Sequence, residues 1–260
     1  MLVDCVHYSA TANTQRICDS LVEGMCAGEG FQAGQSVSIV KGSHEGDLSG
    51  DVVVIGGPVY AGRLPTSMVD SVKTLEGSGR LAVVVVTYGN GTVVDALLEL
   101  GDLATEAGFS VVAGASFIGE HSFHTPDIPM GQDRPDAKDH AKILECATLI
   151  ASKIEGGDRT QPTLPGDRPY KHNNPQPPRT ALYIEDNCGS CGACVEACPF
   201  SIIGEDFRVP EHLLSQCTKC CSCVKACPSG ARTFSMPPAK AEMIRLKCGD
   251  YQRREPLWYL

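Results

Sequence analysis

Nine cysteines (Cys188, Cys191, Cys194, Cys198, Cys217, Cys220, Cys221, Cys223 and Cys227) fall within forty residues of a 260-residue chain that holds 14 in all. Eight of them form two copies of C-x-x-C-x-x-C-x-x-x-C-P. The second copy lies 29 residues after the first, and Val195, Ala197 and Pro199 recur as Val224, Ala226 and Pro228. Three cysteines at intervals of three, on a tight loop, place their thiolates on three corners of one iron-sulfur cube. The fourth cannot reach that cube and in this motif ligates the other one. Cys188, Cys191, Cys194 and Cys227 are therefore expected to hold one 4Fe-4S cluster, and Cys217, Cys220, Cys223 and Cys198 a second. Zinc takes its ligands from paired C-x-x-C units and gives no reason for a triple spacing followed by C-P, twice over. Cys221, where the first copy has Gly192, is expected to be a buried, non-ligating thiol. Cys5, Cys18, Cys26, Cys146 and Cys248 show no metal spacing and read as small core residues.

A second set of candidates lies near the N-terminus. Ser9-Ala10-Thr11-Ala12-Asn13-Thr14 follows an apolar run and precedes a helical pattern. Hydroxyls, an amide and backbone N–H groups thus stand at a helix N-terminus, where unpaired donors and the helix dipole favour an anion. The same residues also read as an ordinary Ser/Thr-rich helix cap. G-x-G-x-x-G is absent, which counts against a dinucleotide bound in the Rossmann manner; the single phosphomonoester of FMN suits the loop. Position favours the site, because ligands of doubly wound sheets lie at the carboxyl ends of the strands. Two more loops at such ends, Pro58-Val59-Tyr60-Ala61-Gly62 and Thr87-Tyr88-Gly89-Asn90-Gly91, each offer an aromatic face and glycines that admit a flavin edge. The candidate FMN contacts are Ser9, Thr11, Ala12, Asn13, Thr14, Pro58, Val59, Tyr60, Ala61, Gly62, Thr87, Tyr88, Gly89 and Asn90, with Gly119 from a later loop. His121 reads equally as a flavin contact or as packing. No catalytic acid–base set is evident.

These residues need a scaffold. Short β-branched runs at 2–8, 36–40, 51–57, 81–87 and 110–118 alternate with segments whose apolar residues recur at three- and four-residue steps. Runs apolar on both faces, such as Val52-Val53-Val54-Ile55, are what a parallel sheet covered by helices requires. Residues 1–156 thus read as an α/β domain, a doubly wound five-stranded parallel sheet ending with a helix near 136–156. Residues 157–182 contain Pro162, Pro165, Pro169, Pro175, Pro177 and Pro178 and read as an extended, semi-rigid linker. The cysteine region, 183–236, is a small α+β domain, and 237–260 form a tail.

Composition excludes some partners. The net charge is -9, and residues 1–156 hold 20 acidic and 9 basic side chains. Nucleic acid is a poor partner for such a surface, whereas a basic docking face on another redox protein suits it. No apolar stretch reaches the roughly 18 residues of a membrane span, and no secretory leader is visible. The chain is expected to stay in a reducing cytoplasm, where clustered cysteines bind metal.

The chain resembles the flavodoxin-ferredoxin fusion proteins of anaerobic bacteria and archaea. The residues that carry the resemblance are Ser9 to Thr14, Gly56 to Pro65 (GGPVYAGRLP), Thr87 to Asn90 (TYGN), Asp95 to Leu100 (DALLEL), Phe117 to Phe123 (FIGEHSF), the double cysteine motif, and the ending Cys248 through Arg253-Arg254-Glu255-Pro256. Ala10 and Ala12 stand where that family's loop frequently has glycine, and Gly91 where it often has arginine. The resemblance implies a flavodoxin-like domain with FMN, a ferredoxin domain with two 4Fe-4S clusters, and traffic in low-potential electrons between a redox protein donor and acceptor. An FMN-dependent NAD(P)H or quinone oxidoreductase, and a dedicated electron-donor subunit of an anaerobic enzyme complex, stay open, as does a homodimer. The tail, with Met243, Ile244, Leu246, Trp258 and two adjacent arginines, reads either as a docking element or as an end-piece packed back on the chain's own body.

Overall fold

The computed structural model describes residues 1–42, 48–125, 128–172, 180–234, 236–247 and 252–260. In the first part of the chain, strands β1 (Leu2–His7), β2 (Gln32–Ser38), β3 (Val52–Pro58), β4 (Leu81–Tyr88) and β5 (Ser110–Ile118) alternate with helices α1 (Asn13–Met25), α2 (Thr66–Val72), α3 (Ala96–Glu106) and α4 (Ala137–Glu155). The five strands are parallel in the order β2-β1-β3-β4-β5, which is the flavodoxin-like order, with its switch point between β1 and β3.

Alternation within one strand shows why the sheet needs helices on both sides. Val52 and Val54 of β3 pack with Ile17 and Leu21 of α1 and with Ile143 and Ile150 of α4. Val53 and Ile55 face the opposite layer, with Met68 of α2 and Leu97 and Leu100 of α3. Each such side chain taken wholly out of water stabilises by about 1.5–3 kcal/mol. The start of α4 is fixed by a capping box, in which Asp136 accepts from Lys138 N and Asp139 N while Asp139 accepts from Asp136 N.

The linker runs along this body. Leu164 is buried in the layer of α2 and α3. The carboxylate of Asp95 accepts from Asp167 N at 3.0 Å and Lys171 N at 2.6 Å, and Arg168 and Tyr170 both bond Asp102. Residues 157–172 are thus pinned to α3 instead of spanning open solvent; Pro175, Pro177 and Pro178 lie outside the described residues.

The cysteine module follows as two short strands, β6 (Leu182–Tyr183) and β7 (Arg232–Thr233), paired antiparallel, around the one-turn helices α5 (Ala193–Glu196) and α6 (Ser222–Lys225). The tail holds α7 (Pro238–Lys247) and β8 (Leu257–Tyr259). Strand β8 returns to the first domain and pairs antiparallel with β5, Gly114 opposite Tyr259 and Ser116 opposite Leu257, so the sheet has six strands where the sequence suggests five. Trp258 packs in the layer of α1 and α4.

Candidate functional site

In the first cysteine copy, a turn at Glu185–Asn187 delivers Cys188, and Gly192, at φ 77°, starts α5. Cys188, Cys191, Cys194 and Cys227 line one cavity, with Tyr183, Phe207 and Arg232 among its walls. Cys227 belongs to the second copy, so the structure brings the crossing residue to the three it was expected to join. The Cys188 thiol is held below its ordinary pKa by the Tyr183 hydroxyl and by Ser190 N, which donates to Sγ at 3.4 Å, and a lowered pKa favours the ligating thiolate. In the second copy, Cys217 and Cys223 pack with Cys198 of the first, and Cys217 and Cys220 lie close to one another. Burial pushes the Cys223 thiol up to about 11. Among the described residues no three His, Cys, Asp or Glu side chains converge on a point where a single metal ion would sit. The first cysteine set rings a space, and that donor set of four sulfurs, drawn from both copies, fits a 4Fe-4S group. Cys221 is buried, at φ 62°. Cys5, Cys18 and Cys146 are buried in the α/β domain and Cys26 is half-buried, while Cys248 lies outside the described residues.

The loop from Ser9 to Ala12 ends with Ala12 at φ 62°, the left-handed conformation in which glycine is at ease and alanine strained, and Ala12, the residue before α1, has no side chain that could cap it. Ser9 Oγ accepts from Gln15 N at 3.1 Å. Asn13 donates to the Glu120 carbonyl at 2.8 Å and accepts from Arg16; Asn13 and Thr14 are buried. At the neighbouring strand ends, Thr87 is buried and its hydroxyl has no hydrogen-bond partner. A Cβ on Gly119 would lie 3.0 Å from the Thr87 methyl and 3.3 Å from Asn13 Cβ, so a larger residue would press on both where β5 ends. A helix start with one first-turn N–H taken by Ser9 and others without a side-chain acceptor, beside an orphaned buried hydroxyl, fits a phosphorylated ligand at the carboxyl ends of the strands.

The loop after β3 is a tight turn, with Tyr60 N donating to Arg63 O at 2.8 Å and Arg63 N to Tyr60 O at 3.1 Å across Ala61 and Gly62. Val59 N donates to Thr87 O at 2.9 Å and ties this loop to the next. Burial pushes the Tyr60 hydroxyl pKa well up, with Cys220, Tyr8, Cys221 and Cys217 close enough to add to it. Tyr88 is also buried, but its charged neighbours are Arg254 and Arg134. The two tyrosines, expected to flank one ring, thus sit in different surroundings, Tyr60 toward the cysteine module and Tyr88 toward the tail. Asn90 is spoken for by the tail as well, donating to Gln252 O at 2.7 Å. Beside them His121 lies over Gly89, where a Cβ would come within 2.3 Å of the imidazole. Its Nδ1 accepts from Phe123 N at 2.9 Å and its ring stands 5.3 Å from that of Phe123. Burial, and then the charge of Lys225, lower its pKa to about 4. These contacts are those of a packed, neutral imidazole.

Sequence reasoning missed the residues that join the parts. Ser222 donates to the Ala10 carbonyl, and Lys225 Nζ lies 2.6 Å from Glu120 Oε1. At the tail, Arg134 pairs with Asp139 and donates to Arg254 O at 2.8 Å, and Arg253 reaches Asp136 at 2.6 Å. The doubled arginine was the one visible signal.

Residues 181–204 match the model of the 4Fe-4S binding domain family, so this segment is an iron-sulfur module. No curated protein matches the chain. Among solved structures, a flavodoxin from the domain Archaea is 14% identical with a TM-score of 0.42, covering 60% of this chain and 99% of its own. Oxidised flavodoxin 1 from Bacillus cereus is 17% identical with a TM-score of 0.42, covering 58% and 98%. The rubredoxin oxygen:oxidoreductase of Desulfovibrio gigas is 13% identical with a TM-score of 0.40, covering 60% of this chain and 36% of its own.

Proposed function

We propose that this redox protein is a low-potential electron relay of anaerobic metabolism, binding FMN at the carboxyl ends of β1, β3 and β4 and two 4Fe-4S clusters in the cysteine module. The observation that carries the reading is the cavity ringed by Cys188, Cys191, Cys194 and the crossing Cys227. A crossing ligand is meaningful only where a second cluster takes the reciprocal one, and Cys198 lies with Cys217 and Cys223 as that reciprocity requires. FMN accepts two electrons and releases them singly, whereas each cluster carries one.

This chain's own residues position and insulate. The N–H groups at the start of α1, with Ser9, Asn13 and Thr14, hold the phosphate. Thr87 supplies a hydroxyl to the ligand, and Tyr60 supplies an aromatic face on the side of the cysteine module. The acidic surface of residues 1–156 suits a basic face on a redox partner protein, and no described helix is long and apolar enough to cross a membrane. Clustered cysteines that bind metal suit a reducing cytoplasm.

The phosphate loop is tested by titrating anaerobically prepared protein, stripped of flavin, with FMN and with riboflavin. FMN binds at least about tenfold more tightly, the worth of one or two charge-assisted hydrogen bonds. Equal affinities, or no binding of either, would remove the phosphate site and with it the relay.

A further inference from the structure

The two copies of the cysteine motif are alike in sequence and unlike in surroundings. In the first copy Cys191 is exposed, and a Cβ added at Gly189 or Gly192 would meet nothing within 4 Å. The residue equivalent to Gly192 in the second copy is Cys221, which is 6% exposed and holds φ 62° although it carries a side chain. That conformation is strained for an L-residue and easy for glycine, so the buried thiol has a place to fill. Its neighbour Ser222, also 6% exposed, donates to Ala10 in the loop before α1. Three residues further on, Lys225 is paired with Glu120 in the loop after β5. Tyr8 and Tyr60, at the carboxyl ends of β1 and β3, lie within electrostatic reach of Cys220. The second copy is thus docked on the loops assigned to FMN, while the first, with Cys194 buried, presents Cys191 to solvent.

We propose that the centre held by Cys198, Cys217, Cys220 and Cys223 is the inner one, which exchanges electrons with the flavin. The centre held by Cys188, Cys191, Cys194 and Cys227 is the outer port, at which a soluble one-electron carrier protein meets the chain. This rests on the reading of two clusters and FMN and adds their order. The partner is oxidised by one electron at each encounter, and two encounters with two protons from solvent reduce FMN fully.

The full-length variants Cys191→Ala and Cys220→Ala, prepared without oxygen, each retain one centre. EDTA strips iron about tenfold faster from Cys220→Ala, which keeps the outer centre, than from Cys191→Ala, as solvent access requires. Equal or reversed rates overturn the inner and outer assignment, and this readout needs no flavin. On mixing with a reduced 4Fe-4S ferredoxin, Cys220→Ala bleaches its cluster at the wild-type rate while FMN stays oxidised. In Cys191→Ala, reduction of both cluster and FMN slows. FMN reduction at the wild-type rate in either variant overturns the order. Where a variant loses all its iron, the wild-type protein decides: carbodiimide coupling followed by peptide mass spectrometry joins Lys225 to Glu120, and absence of that link overturns the docking of the second copy. A wild-type chain that holds its clusters but no FMN contradicts the flavin reading, while the EDTA comparison still judges the assignment.

Discussion

Arg254 donates its backbone N–H to the side-chain oxygen of Asn90 at 3.2 Å, while the amide nitrogen of the same asparagine donates to Gln252 O at 2.7 Å. A side chain in the loop after β4 therefore pairs with one carbonyl and one N–H of the returning tail just before it becomes β8. Asn90→Ala leaves a tail N–H and a tail carbonyl half-buried without these partners, which costs about 1–3 kcal/mol. Anaerobic urea unfolding gives the loss, and limited proteolysis places early cleavage near residue 252.

The second tie is ionic. Arg134 and Asp139 form a pair whose side chains are 5% and 2% exposed. Arg134→Met leaves Asp139 with Arg253, at 3.1 Å, as its remaining cationic partner, so the loss is that of the buried hydrogen bonds removed, about 1–3 kcal/mol, read in the same unfolding measurement.

Acid weakens the fold in two steps. Burial lowers the His121 pKa from 6.5 to about 4 and lowers that of His7 as well. The unfolded chain therefore binds more protons than the native one below pH 6.5. The stability from keeping these imidazoles neutral is complete above pH 6.5 and is lost as pH falls toward 4. Asp136, held well below the usual carboxylate range by Arg253 and by the N–H groups of its capping box, adds a loss only as pH falls below its ordinary 3.8. Melting followed by circular dichroism between pH 7.5 and 4.5 shows the first step, and His121→Gln flattens it.

Much of the scaffold is legible in the residues that build it. The runs at 2–8, 51–57, 81–87 and 110–118 become β1, β3, β4 and β5 because their two-sided apolarity matches burial on both faces. The second run lies early: β2 spans Gln32–Ser38 rather than 36–40, since an edge strand exposed at Gln32 to Ser36 carries little apolar signal. The gathering of Cys227 with Cys188, Cys191 and Cys194, and of Cys198 with Cys217 and Cys223, follows the pattern the repeat suggests. Strand β8 is not, for three residues become a strand only by pairing with the free edge of β5. The linker's course along α3 depends on Asp95 and Asp102, two carboxylates indistinguishable in sequence from solvated ones. Tyr88 was placed by its loop, but its side chain follows the pleat of β4 into the space the tail closes.

Thr87 offers a probe of the ligand site that spares the fold. Its hydroxyl is buried without a partner, so Thr87→Val leaves the melting temperature of flavin-free protein unchanged or slightly raised. FMN affinity falls by about fivefold to tenfold, the worth of one hydrogen bond of about 1 kcal/mol or slightly more. An unchanged affinity would show that the ligand does not reach Thr87.

Composition decides whether one chain carries one flavin and two clusters. Protein purified without oxygen is assayed for flavin, iron and acid-labile sulfide per chain, with its visible spectrum recorded before and after reduction. About one FMN with about eight iron and about eight sulfide per chain is expected. About four iron and four sulfide, or full clusters with no FMN even after reconstitution, would contradict it.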